Sequence, residues 1–277
     1  MSIIDLILNF AALLLWLKWL DRGSEISVAK ISLLGTLKKA RTRRARWPFL
    51  SGLLGILFLR IFFYGPLGSL SGWTPRLWFG VIPLSFRVDY PGQMALFSLG
   101  SFLATLIVFY FSLLLLSVLA GKNSEHDPAR ALVDAQLGKL SSLPGALKLF
   151  LPWVCFVALW CLVTRPLVAL KILPHPVSFL HTLEQGAVTG LGVYLIWKYL
   201  LVAILLLHLL NSYIYFGNWP FWIFIDRCAK QATRCLSWIP LRMGKIDLAP
   251  VFLMAVILAG AEFGGRGLIW IFQRLPF

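Results

Sequence analysis

Acidic residues are scarce in this sequence. Asp and Glu together number 11 against 26 Lys and Arg in 277 residues, giving a net charge of +15, and only 13% of residues are charged. A soluble domain carries about 25% charged and roughly 45–50% apolar residues. Here 59% are hydrophobic, an excess too large for one soluble core, so lipid is the simplest solvent for the chain. Cysteine is equally uninformative as a chemical group. Cys155 and Cys161 lie inside an apolar run, and Cys228 and Cys235 are two helical turns apart. Neither arrangement has zinc or redox spacing, so all four read as packing residues. There is no Gly-rich phosphate loop, no HExxH and no G-x-S-x-G elbow, so no enzyme constellation and no cofactor or metal is expected. The first apolar segment lacks a basic stretch before it and a small-residue cleavage site after it. Lys18, Asp21 and Arg22 follow instead, and the segment is expected to be a retained span rather than a signal peptide.

What is present is long apolar runs. A membrane helix needs about 20 mostly apolar residues, and six stretches qualify: Ile4–Leu20, Pro48–Tyr64, Met94–Leu119, Leu149–Leu170, Leu191–Tyr215 and Val251–Ile271. Thr164-Arg165-Pro166 interrupts the fourth. The connections alternate in charge. Lys18, Arg22, Lys30, Lys38, Lys39, Arg41, Arg43, Arg44 and Arg46 flank the first; Lys122, Arg130, Lys139 and Lys148 the third; Arg227, Lys230, Arg234, Arg242 and Lys245 the fifth. Only Arg76, Arg87, Lys171 and Arg274 stand on the other side. The positive-inside rule then makes the odd loops cytoplasmic and both termini external. Basic residues set between apolar runs suit anionic lipid headgroups rather than nucleic acid.

Three basic loops carry helical patterns. Ser27–Arg46 aligns Val28, Ile31, Leu34 and Leu37, ending in the cluster from Lys38 to Arg46. Such a segment is expected on the inner leaflet, unless its charges serve only to fix topology. Asp127-Pro128 reads as an N-cap followed by a first-turn proline, with Ala131, Leu132, Ala135 and Leu140 resting on the bilayer or a neighbouring helix. The stretch Trp219 to Trp238, with Asn218 as N-cap, places Phe221, Ile225, Cys228, Ala232 and Cys235 on one face. Arg227, Lys230 and Arg234 fall elsewhere, as in an interfacial helix.

The chain is weakly self-similar. Ile82-Pro83-Leu84 with Asp89 precedes the third span, as Ile239-Pro240-Leu241 with Asp247 precedes the sixth. Phe63-Tyr64-Gly65 is echoed by Tyr215-Phe216-Gly217. The segment WPFWIFIDRCAKQATRCLSWIPLRMGKIDLAP (219–250) resembles the YggT family of small bacterial membrane proteins. The matching residues are Pro240, Arg242, Gly244, Ile246, Asp247 and Pro250, within a likeness covering about Leu191–Ile271. In the first half Leu59-Arg60-Ile61 and Asp89 remain but the glycine is missing, and the first and fourth spans are additions to the usual two-helix unit. Physically, Pro240 ends the interfacial helix, Gly244 permits a sharp turn, Asp247 N-caps the last span and Pro250 enters its first turn. Arg242 and Lys245 would reach phosphates. The resemblance implies a part in organising larger assemblies, since chloroplast and cyanobacterial members are linked to cytochrome complex maturation and to nucleoid or division organisation.

Ionisable residues inside spans are expensive and face protein or water. Glu262 and Arg266 are spaced to pair along one face of the last span. Ala255, Ala259, Gly260, Gly264 and Gly265 around them give spacing suited to close helix contact. Arg60 and Arg165 lie near span ends and are expected to snorkel. His208 and Asn211 share a face of the fifth span, with Lys198 a few turns away. His208 reads as a hydrogen-bonding residue; haem ligation or proton relay is the alternative.

The expected fold is an all-α polytopic membrane protein of about six transmembrane helices. It has two three-helix halves (1–120 and 149–277), a connector (121–148) and interfacial amphipathic helices. The expected function is a non-enzymatic scaffold, accessory subunit or assembly factor in the bacterial inner membrane, with anionic lipids and other membrane subunits as partners. The alternative is a small transporter or channel on an inverted repeat, its path lined by Arg60, Lys198, Glu262 and Arg266.

Overall fold

The computed structural model describes residues 2–20, 46–71, 73–121, 128–176, 178–214, 216–217, 219–236, 242–243 and 246–275. The basic cluster Lys38, Lys39, Arg41, Arg43 and Arg44, the turn residues Pro240, Gly244 and Lys245, and the caps Asp127 and Asn218 lie outside them. Nine α-helices are described: α1 (Ser2–Leu20), α2 (Trp47–Ser71), α3 (Pro91–Leu119), α4 (Pro128–Leu137), α5 (Gly145–Ala169), α6 (Phe179–Gly192), α7 (Trp197–Tyr213), α8 (Pro220–Thr233) and α9 (Ala249–Arg274). Six helical stretches are long and apolar enough to cross a bilayer, α6 and α7 forming one of them through a 3-10 turn at Val193–Ile196. The chain is an all-α, multi-pass integral membrane protein. α5 stays helical through Pro152 and Pro166, so Thr164-Arg165-Pro166 does not break the fourth span.

Contacts divide the chain into two compact units, Met1–Leu77 with Ser85–Leu106, and Trp78–Leu84 with Ile107–Phe277. In the first, α1 packs on α2 and both meet the start of α3 through Ala12, Leu53 and Phe102, with Leu15, Trp16 and Leu50 around them. The Ser98 hydroxyl donates to the Leu57 carbonyl at 3.0 Å.

In the second unit the tightest pairing is α5 with α6. The buried stripe of α6 is small and polar: Thr182, Gln185, Gly186, Thr189, Gly190 and Gly192. A Cβ on Gly186 would meet Trp160 at 3.2 Å, and one on Gly190 would meet Trp153 at 3.0 Å. Trp153 Nε1 donates to the Ala187 carbonyl at 3.0 Å. The glycines thus seat two tryptophans, as small residues do where membrane helices approach closely. The span expected to begin at Leu191 begins at Phe179 instead, because this stripe offers no apolar signal.

Two short hairpins join helices where the sequence suggests only loops. The first pairs β1 (Arg76–Phe79) with β2 (Ile82–Ser85). At its tip Gly80 has φ +64°, and a Cβ there would stand 2.4 Å from the Thr189 carbonyl oxygen, so only glycine fits. Phe79 beside it packs on Phe156 and Trp160, with ring centroids 4.9 and 5.7 Å away. The second pairs β3 (Arg242–Met243) with β4 (Ile246–Asp247), Arg242 opposite Asp247.

The surface helices bury other faces than the sequence suggests. α4 turns Val133 and Leu137 inward, while Ala131, Leu132, Ala135 and Leu140 are exposed. It rests on α8. α8 buries Phe224, Ile225, Cys228 and Ala229, with Phe221 and Cys235 exposed and Ala232 half-buried. Its partners are α7, α4 and α9, so the apolar stripe is rotated to fit helices. The residue at its N-cap is Trp219, which makes no side-chain cap bond.

Candidate functional site

The polar residues of the spans gather in three places. In the first unit Arg60 is 1% exposed and does not snorkel. Its guanidinium is ion-paired with Asp5 of α1, donates to Asn9 Oδ1 at 2.7 Å and reaches Ser101 Oγ of α3 at 3.3 Å. Asp5 also accepts from the Tyr64 hydroxyl at 3.1 Å and from Ser101 at 2.9 Å. Asn9 Nδ2 donates to Ser101 at 2.7 Å. Within this cluster, Nε of Arg60 is the one buried side-chain polar atom without a hydrogen-bond partner among the described residues. An acid one helix away, invisible to a span-by-span reading, is what holds this arginine inside: a charge in lipid seeks the nearest opposite charge or water. Three helices are joined by the result.

In the second unit Lys148, counted in a loop by the sequence, is 6% exposed in the first turn of α5. Its ammonium donates to Ser117 Oγ and to the Ser141 carbonyl, both at 2.7 Å. His208 of α7 places Nδ1 2.8 Å from Asp226 Oδ1 on α8, off the line of a regular hydrogen bond. Asp226 Oδ2 lies 2.6 Å from the Lys230 ammonium. Asp226 is the partner that sequence spacing missed, because it comes from another helix. Lys230 therefore spends its charge on Asp226 rather than on lipid phosphate alone. Asn211 accepts from the Phe216 amide at 3.4 Å, closing the end of α7. Arg46 and Arg234 are exposed and Arg227 is half-buried. Asp247 Oδ1 accepts from the Ala249 amide at 3.0 Å, and Pro250 sits buried in the first turn of α9. That entry matches the helix start read from the motif, with the aspartate one residue before the cap.

The third place is the outer side of α9. Arg266 Nε and Nη2 lie 2.9 and 2.8 Å from Glu262 Oε1, and both side chains are more than half exposed, at 73% and 58%. Ala255 and Ala259, at helical spacing from them, are exposed as well. A Cβ on Gly260 would meet nothing within 4 Å, and one on Gly264 only a Leu195 methyl at 3.8 Å. A Cβ on Gly265 would meet a Leu195 methyl at 3.4 Å, so the expected contact is made on that side of α9, while Gly260 has no neighbour among the described residues. A groove of about 440 Å³ beside this face brings Glu262 and Arg266 together with Lys198, Tyr199 and Trp78.

No protein family, curated protein or solved structure matches this chain. Among the described residues, no group of three or more His, Cys, Asp or Glu is placed to hold a metal ion.

Proposed function

We propose that this membrane protein is a non-enzymatic subunit or assembly factor of a larger complex in the bacterial inner membrane, docking other membrane helices through the outer face of α9. The observation that carries it is the exposed Glu262–Arg266 pair. α9 has 26 residues, about 39 Å at 1.5 Å per residue, and Glu262 stands near its middle. A charged residue at that depth costs about 2.5–3.5 kcal/mol on insertion scales. Pairing offsets part of this, and a second helix laid over the pair would remove the rest from lipid. Ala255 and Ala259 would let its backbone come close. Kinship with the YggT family, resting on Pro240, Arg242, Gly244, Ile246, Asp247 and Pro250 of the sequence, belongs to the same proposal and supports it by analogy. Anionic lipids at Arg46 and Arg234 are the expected surroundings.

The test is assembly size on native gels after Ala259→Trp, which adds bulk to the open face without touching the packed one. Loss of a high-mass species supports docking, and an unchanged species argues against it. A second reading, transport, draws on the groove that joins Lys198, Glu262 and Arg266. Unaltered ion flux in proteoliposomes carrying Glu262→Gln would remove it.

A further inference from the structure

We propose that the cavity of about 780 Å³ between α5 and α6 is a binding site for one anionic amphiphile, its phosphate or carboxylate head at Arg165 and its chain along Leu162 and Ala158. The inference is independent of docking at α9, which uses another surface.

Charge comes first. Among the described residues, the cavity is lined by Arg165, His175, Ser178 and Thr182 on its polar side and by no acidic residue. Four other cations in or beside the spans are ion-paired, Arg60 with Asp5, Arg130 with Asp134, Lys230 with Asp226 and Arg266 with Glu262. Arg165 has neither an ion pair nor a hydrogen bond with any described residue, and it opens onto this space. Ser178 and Phe179, the N-cap and first residue of the 14-residue α6, line the same cavity. The positive end of that helix dipole therefore adds to the arginine rather than opposing it.

Depth comes second. Arg165 is four residues from the end of α5 at Ala169, so its backbone lies about 12 Å from the midpoint of the helix, just inside the edge of a hydrocarbon core about 30 Å thick, and its long side chain reaches headgroup level. The wall continues inward to Leu162 and Ala158, about 10 Å deeper, and there it is apolar. A head at the rim and a chain running toward the midplane is the arrangement of a membrane lipid or a long-chain acid. A small free anion would use only the rim. Leu162 and Phe179 are 72% and 70% exposed, so the cavity opens sideways to lipid and a chain can enter without the helices parting.

The experiment is native mass spectrometry of the full chain, delipidated and then titrated with phosphatidylglycerol or phosphatidylcholine of equal chain length. In a parallel arm inorganic phosphate is followed by thermal shift. One phosphatidylglycerol should be retained, with phosphatidylcholine excluded. Arg165→Gln should weaken retention about tenfold, as loss of a charged hydrogen-bond donor does, while Arg165→Lys keeps most of it. Ala158→Trp, which leaves the arginine in place and fills the inner end, should also weaken it. Equal retention by wild type and Arg165→Gln would overturn the proposal, as would equal retention of both lipids. Phosphate alone binding as tightly as phosphatidylglycerol would overturn the amphiphile in favour of a free anion.

Discussion

Arg60 on α2 is ion-paired with Asp5 on α1, its side chain wholly withdrawn from the surface and that of Asp5 20% exposed. Ser101 of α3 donates to the same carboxylate, so one acid ties three helices. Removing one member of a buried pair leaves the other charged and unpaired, typically at a cost of about 3–5 kcal/mol. Arg60→Leu and Asp5→Asn should each lower the thermal unfolding midpoint in detergent. The double variant should lose clearly less than the sum of the two, because the pair acts as a unit. Additive small losses would mean that the cluster holds nothing.

Gly80 and Gly55 offer a paired test of backbone geometry. Gly80 has a left-handed φ and a carbonyl oxygen where a Cβ would go, whereas a Cβ on Gly55, within α2, would meet nothing within 4 Å. Gly80→Ala should destabilise by about 1–3 kcal/mol. Gly55→Ala should be neutral or stabilising by up to about 1 kcal/mol. Thermal melts of the two variants side by side would check the hairpin tip; equal effects would contradict its docking on α6.

His208 and Asp226 fix α8 to α7. Asp226→Ala frees both His208 and Lys230 and should expose α8 to limited proteolysis, while Lys230→Ala, which leaves the His208 contact, should not. The two variants cleaved at the same rate would show that the histidine contact contributes nothing to holding α8.

Much of the fold was legible in the sequence because long apolar runs have few alternatives: each of the six expected spans has its helix. The Glu262–Arg266 pair and the aspartate-proline entry into α9 were also legible, being local in sequence. What was not legible depends on other helices. Asp5 lies 55 residues from Arg60, and Asp226 belongs to a separate helix from His208, so no spacing within one segment reveals either partner. α6 was missed because its contact face is built of Gly, Thr and Gln, which read as loop while serving as a close-packing stripe. The inward faces of α4 and α8 were misjudged for a related reason. Their apolar residues spread around more than half of each helix, and which arc is buried depends on the neighbour it meets.

Docking of a partner helix would leave its mark on the outer face of α9. The most direct measurement places a photo-crosslinking amino acid at Ala259, on the open face, or at Leu253, which is packed and 8% exposed, in the native membrane. The account expects one discrete, stoichiometric membrane-protein adduct from position 259, lost in a Glu262→Leu, Arg266→Leu background, and none from position 253. Adducts to lipid alone at position 259, with the protein migrating as a lone species, would contradict it.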